Sequence, residues 1–357
     1  MLFVRVLLCY TGSMKMSLAY KLIRYFVFTI LVLMFIFSVS VGLLTWKRPE
    51  LVKKIISDLV PTPTATPILV KGIAVLGDSQ SDEYRADDAR GGDYSTTTMN
   101  WVELLASYRH LNFGSWVRNG EPRRTGYEYN FARTGATAYS LIASAQDTGA
   151  AELIKEGKVN AVVIYIGAND FAPYITQDGY QQIYDGTLTD AQVLEKVNNI
   201  VANITTAIEV MKDAGKASII LVKIPDWGAH LGVQVAFPFP DQRARVTQAI
   251  QSANDKLQKV ADEYGIATID PNAFYQDFVN AGYKVENVKL QLFVLNDDPK
   301  NVFLDDGIHM GTVLNGLFAN KVIETLDTNY GAGIQEFSDS EILANAGIQQ
   351  AKFSASK

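Results

Sequence analysis

The 357-residue chain has one cysteine and three histidines. Cys9 lies ahead of the main apolar run. The long downstream body therefore has no disulfide, no thiolate metal cluster and no cysteine nucleophile. Cys9 also does not follow that run, where a lipid-anchored cysteine would stand. A body of this size can rely on its core, so the scarcity of cysteine does not exclude export. His110, His230 and His309 are the only imidazoles that can act as a base near neutral pH. Positive charge is scarce in the body: eight of the 32 Lys and Arg but only two of the 38 Asp and Glu fall within residues 1–70, leaving the remainder about 12 charges negative. An acidic body argues against nucleic-acid binding, which wants a basic face. No internal repeat is visible, and one catalytic domain is expected, not two.

What the chain does have is one long uncharged stretch. Tyr25 to Trp46 carries no charge over about 22 residues, long enough to span a bilayer as a helix. Lys15, Lys21 and Arg24 precede it, and Lys47, Arg48, Lys53 and Lys54 follow, so flanking charge does not fix orientation. The expected reading is an uncleaved signal anchor. A cleaved signal peptide, with Ser38-Val39-Ser40 as its small-residue site, is the alternative. Met14 and Met16 leave a later start codon open. Pro61-Thr62-Pro63-Thr64-Ala65-Thr66-Pro67 reads as an extended spacer. The expected partition is residues 1–24 as a cytoplasmic or signal n-region, 25–46 as a transmembrane anchor and 47–70 as a juxtamembrane linker. A catalytic body then occupies 71–330 and a tail 331–357. This arrangement implies an extracytoplasmic body held at a membrane, or a secreted one if the segment is cleaved.

From Lys71 on, strand-like runs alternate with helical patterns. Ile73–Leu76, Ala161–Ile166, Ala217–Ile224 and Ala267–Asp270 read as strands, and runs apolar on both faces are typical of a parallel sheet. Trp101–Arg109, Ala138–Glu156, Asp190–Ala214, Asp241–Tyr264 and Thr312–Asp327 read as helices. In the third, Val193, Leu194, Val197, Ile200, Val201, Ile204, Ile208 and Met211 fall close to the helical period, Thr189 or Asp190 can cap it, and Gly215 can end it. The alternation predicts a doubly wound α/β sheet with its site at the C-terminal ends of the strands.

Three short segments sit where such a site would lie. Gly77-Asp78-Ser79 ends the first strand, Gly167-Ala168-Asn169-Asp170 ends the second, and Asp306-Gly307-Ile308-His309 precedes the last helix. They offer a hydroxyl nucleophile, a side-chain amide for an oxyanion, and an imidazole with a carboxylate three residues upstream. Taken singly, each has a plainer reading. Gly-Asp-Ser is a common turn, His309 a surface histidine, and Asn169 or Asp170 a helix cap, the role expected of Asp170. Asp305 competes with Asp306 as the carboxylate. His110 has no catalytic partner nearby, and His230 has only Asp226.

These residues resemble the SGNH, or GDSL-type, hydrolase family. Gly77-Asp78-Ser79 matches its first block, although Gln80 replaces the usual Leu, and Asp82 fits its common downstream acid. Asn130 to Ala136 looks like the second block and nominates Gly135, whose N–H would join the oxyanion hole. Gly167, Asn169 and Asp170 match the third, and Asp306 with His309 the fifth. The resemblance spans about Ile73 to Leu326. It implies a flavodoxin-like three-layer α/β/α sandwich with a mainly parallel five-stranded sheet. It also implies a metal-free and cofactor-free serine esterase in which Ser79, Asp306 and His309 form the triad. Ser79, Gly135 and Asn169 would form the oxyanion hole. The substrate would be a small-molecule, glycan or lipid ester. An acyltransferase would use the same groups, and a non-catalytic binding module would normally have lost the serine or histidine.

Three features remain open on sequence grounds. Ser81 to Asp93 is rich in acids, which either bind a cation or polar substrate or simply pair with Arg85 and Arg90. Trp227 either stacks on substrate or packs. Ala236 to Pro240 is either an apolar rim or a plug. Asn203 matches the glycosylation pattern but lies in an expected helix.

Overall fold

The structure, a computed structural model, describes residues 68–86, 89–118, 125–173, 179–292 and 294–348. The proposed anchor and most of the linker lie outside the described residues. Among the described residues, no helix is long and apolar enough to cross a membrane. In chain order the elements are β1 (Ile73–Gly77), α1 (Trp101–Tyr108), β2 (Trp116–Arg118), β3 (Thr125–Tyr127), α2 (Ala138–Ala143), α3 (Gln146–Lys155) and β4 (Ala161–Tyr165). Next come α4 (Tyr180–Asp185), α5 (Asp190–Ala214), β5 (Ser218–Val222), α6 (Leu231–Ala236), α7 (Pro240–Tyr264) and β6 (Ala267–Ile269). The chain ends with α8 (Pro271–Asn280), β7 (Lys284–Val285), β8 (Val288–Lys289), α9 (Thr312–Tyr330) and α10 (Asp339–Asn345).

The main sheet is parallel, in the order β1-β4-β5-β6. Successive side chains leave a strand on opposite faces, and the core divides accordingly. Ala74, Leu76, Val162, Ile164, Ile219 and Leu221 pack with α2, α3, α5 and α7. Ile73, Val75, Val163, Tyr165, Ile220 and Val222 pack with α1, α9 and α10. Helices thus cover both faces, as expected of strands that are apolar throughout.

Among the described residues the main sheet has four regular strands where five were expected. The fifth position, outside β1, is held by the irregular segment 129–133. Val75 N–H donates to Tyr129 O, Phe131 N–H to Val75 O and Arg133 N–H to Gly77 O. Asn130 makes the segment irregular. Its amide donates to Ser81 O and its Oδ1 accepts from Ala132 N–H, so its side chain serves the adjoining turns.

Two further expectations are corrected. The helix expected over Ala138–Glu156 is broken at Ala145, which adopts φ 59°. The break lets Gln146 reach β1, where its Oε1 accepts from Gly77 N–H and its Nε2 donates to Gly77 O. The segment after 330 is not a tail as far as 348. Phe337, Ile342, Leu343, Ala346 and Ile348 are buried in the second core. Asn320 exchanges two hydrogen bonds with the Phe337 backbone, and Arg109 bonds both carboxylate oxygens of Glu341. At the other end the body is tied down before Lys71, since Ile68 N–H donates to Tyr330 O and Asn160 Nδ2 to Leu69 O.

Candidate active site

Strand register sets the site. Gly77 pairs with Tyr165 and Tyr165 with Val222, so β1, β4 and β5 end level with one another. The segments that follow, around Ser79, Asn169 and Trp227, therefore emerge side by side at the C-terminal edge of the sheet.

The turn after β1 uses nearly all its donors. Asp78 Oδ1 accepts from Gln80 N–H, and Asp78 O accepts from Ser81 and Asp82 N–H. The Ser79 N–H has no hydrogen-bond partner among the described residues. The same pattern recurs in the second block. Thr134 N–H donates to Asp82 Oδ2 and Ala136 N–H to Arg133 O, while Gly135 N–H between them is uncommitted among the described residues. Gly135 has φ 81°, and a Cβ there would meet no atom within 4 Å. It faces open space with its donor unspent. Backbone donors without a protein partner are left for water or a ligand. Asp82 binds the two segments together by accepting from both Thr134 N and Oγ1.

Asn169 follows Gly167, whose φ of 105° and 2.8 Å clearance from Ile224 admit no side chain. One amide hydrogen of Asn169 goes to Ala136 O at 2.8 Å, which orients the group beside Gly135. Asp170 is a cap, as expected, but for α2: its Oδ2 accepts from Ala138 N–H. Burial pushes the Asp170 carboxyl up to about 6 and, with the nearby charges of Asp170 and Asp82, pushes Asp78 up to about 7.

His309 lies in a loop closed by Leu304 N–H donating to His309 O and Gly311 N–H donating to Val302 O. Asp306 Oδ1 accepts from Ile308 and His309 N–H, and Oδ2 lies 2.5 Å from His309 Nδ1. Burial alone would raise the Asp306 carboxyl. The hydrogen bond and charge of His309 and the two backbone donors outweigh burial and hold it well below the carboxylate range. Asp305 uses its backbone N–H on Asp297 and makes no hydrogen bond to His309 among the described residues. The imidazole Nε2 is buried and has no partner among the described residues. The Tyr84 and His309 rings meet edge to face, and Tyr84 donates its hydroxyl to Met310 O, which packs the His309 loop against the segment that follows Ser79. The other two histidines have no carboxylate partner among the described residues. His110 is exposed. Both ring nitrogens of His230 lack partners among the described residues, and Asp226 Oδ1 accepts instead from Gly228 N–H, Ala229 N–H and Thr247 Oγ1.

Sequence reasoning missed Arg90 and Gln146. Arg90 Nη1 lies 3.2 Å from Asp306 Oδ2 and 3.0 Å from His309 Nδ1. The short Nδ1–Oδ2 contact needs a proton between those atoms, so the guanidinium donates to the carboxylate. The arginines of the acidic loop thus reach outward, Arg90 to Asp306 and Arg85 to buried Glu103. Trp227 is buried and donates Nε1–H to Ala168 O, supporting the Asn169 turn. In the Ala236–Pro240 segment Phe237 plugs against Tyr180 and Tyr184, while Phe239 is exposed. No group of three or more metal-ligating side chains occurs among the described residues.

A family model described as GDSL-like lipase/acylhydrolase matches residues 73–322. Comparison with curated proteins gives no match. The chain is similar to the solved structure of Axe2, an acetylxylan esterase from Geobacillus stearothermophilus. The identity is 17%, the TM-score 0.42, and the match covers 74% of this chain and 94% of that one. It is similar at 17% identity and a TM-score of 0.38 to a lipolytic G-D-S-L family protein from Veillonella parvula, covering 71% of this chain and 96% of that one.

Proposed function

Because the chain belongs to the GDSL-like lipase/acylhydrolase family, we propose that it is a serine carboxylic-ester hydrolase working through an acyl-enzyme. Ser79 Oγ attacks the ester carbonyl and His309 Nε2 takes its proton. Asp306 holds the ring in the tautomer that leaves Nε2 free and stabilises the imidazolium. The N–H groups of Ser79 and Gly135 and the Asn169 amide receive the oxyanion. His309 then protonates the leaving alcohol, and water attacks the acyl-enzyme with the same groups in reverse. Arg90 steadies Asp306 and adds a positive charge beside the imidazole.

What supports this reading is that, among the described residues, the Ser79 and Gly135 N–H groups are unspent and His309 has its Nδ1 on the Asp306 carboxylate and its Nε2 unpartnered. The test is Ser79→Ala assayed on p-nitrophenyl esters. The variant is expected to fold normally and lose at least ~10³-fold in kcat. A folded variant with near-normal turnover removes Ser79 from the reaction.

Tyr25–Trp46 is read as a signal anchor that holds the catalytic body outside the cytoplasmic membrane on a Pro/Thr spacer. Its length and lack of charge support this reading. Recovery of the full chain in the membrane fraction after carbonate washing, with the body open to added protease, would bear it out. Recovery in the soluble cytoplasm would end it.

A further inference from the structure

A cavity of about 420 Å³ opens beside the candidate site, with Gln80 and Ile308 on its wall next to Ser79 and His309. It runs between the ends of β4 and β5 and α8. Its size falls in the range of small-molecule sites, roughly 300–1,000 Å³. Its walls are rings. His230 lies 5.2 Å from Trp227 and 5.0 Å from Phe303, and Tyr275 lies 6.0 Å from Phe303. Phe274 adds a further aromatic wall.

Four polar atoms of this apolar wall lack partners among the described residues. His230 Nδ1 and Nε2, Tyr275 Oη and Gln80 Oε1 are all buried without a hydrogen bond. Gln80 is 7% exposed, and its amide nitrogen goes to Ile308 O. Burial lowers His230 to about 4, so it is neutral at working pH and offers one donor and one acceptor. Buried polar groups without partners are costly unless something binds them.

An acetyl group would leave most of this volume empty. A straight alkyl chain would fill it and strand the polar atoms. A sugar ring brings more hydroxyls than these few groups can meet. We propose that the cavity receives a hydroxylated aromatic arm of the ester, with ring faces against Trp227, Phe274 and Phe303 and the hydroxyl met by His230 and Tyr275. This rests on the esterase reading of Ser79 and His309 and names its substrate class. The arm is either the acyl or the alkoxy side of the ester, since the cavity adjoins both nucleophile and base.

The test compares two series on the wild-type chain. One is methyl acetate, hexanoate, cinnamate and para-hydroxycinnamate; the other is methyl, benzyl and para-hydroxybenzyl acetate. In one series kcat/KM is expected to rise at least ~10²-fold from the smallest member to the hydroxylated aromatic, because each buried carbon contributes several-fold. The hydroxyl is expected to account for ~10-fold or more of that rise. The series that responds identifies the arm. In Tyr275→Phe and His230→Phe the ratio of hydroxylated to plain aromatic ester should fall toward one. A flat response in both series, or faster turnover of acetylated xylo-oligosaccharides than of any aryl ester, overturns the proposal and leaves the esterase standing. Binding of para-hydroxycinnamate to Ser79→Ala, read by tryptophan fluorescence, separates the two readings. If the acid binds but no ester is cleaved, the pocket stands and the esterase reading falls. If the acid does not bind and the acyl series is flat, the acyl-side pocket is gone.

Discussion

Asp306 is pulled from two sides, by the ring of His309 and by the guanidinium of Arg90. Arg90→Gln takes away one of the two partners of the Asp306 carboxylate and is expected to lower kcat by ~10-fold, with Arg90→Lys restoring part of the loss because it keeps the charge but not the planar fork. Normal kcat in the Gln variant would remove Arg90 from the positioning of Asp306. Asp306→Asn should lower kcat by ~10²–10⁴-fold, through loss of the tautomer and of imidazolium stabilisation. Asp305→Asn should change it by less than ~3-fold, and steady-state kinetics on one ester decides between the two. Asp78 is expected to leave a different mark. Its folded-state value of about 7 lies above the unfolded 3.8, so the native chain keeps a proton the unfolded chain releases. Its contribution to stability is full below about pH 4 and is lost as pH rises to about 7, and Asp170 acts in the same direction up to about 6. Asp78→Asn should therefore reduce the fall in Tm between about pH 5 and about pH 8. A fall equal to that of the wild type would show that Asp78 ionises normally in the fold.

The break between α2 and α3 matters more than either helix. It places Gln146 in a two-bond clamp on Gly77, the residue just before Asp78 and Ser79. Gln146→Ala leaves a buried donor unsatisfied at the end of β1, at about 1–3 kcal/mol. Chemical denaturation should show that loss, and kcat should fall more than KM rises, because the turn carrying Ser79 loosens. Normal kcat in a destabilised variant would make the clamp purely structural. The start of α5 is a contrasting case. Thr189 and Gln192 form a capping box far from the site. Thr189→Ala should cost about 1 kcal/mol with kinetics unaltered.

The body is larger than the family match suggests. That match ends at 322, inside α9, whereas α10 and Phe337 complete the core beyond it. A fragment spanning 68–348 should be soluble, folded and active without the apolar N-terminal run. Ending it at 330 removes Phe337, Ile342 and Leu343, each a side chain whose burial contributes about 1.5–3 kcal/mol. The shorter fragment should melt several degrees lower or aggregate, as thermal unfolding would show. Equal stability of the two would mean that α10 is dispensable. Failure of the longer one to stay in solution without detergent would place the body's boundary elsewhere.

Local patterns made much of this legible. The parallel strands follow from β-branched runs that are apolar on both faces, and α5 begins and ends where its cap and glycine say, because these features depend on neighbours in sequence. The segments that carry Ser79, Asn169 and His309 were legible as two strand ends and a loop, because each holds a short motif there. What could not be read involves groups far apart in the chain. Arg90 meets Asp306 across 216 positions, and Gln146 meets Gly77 across 69. Ala145 carries no glycine or proline to announce a break, and the fifth strand lost its regularity to the partners of Asn130. The resemblance already named Asp306 over Asp305, and the folded loop sets Asp306 Oδ2 against His309 Nδ1. Strand register, which sets Ser79 beside Asn169, and the aromatic cavity beside them arise only when separate segments pack, and spacing along the chain carries no trace of that packing.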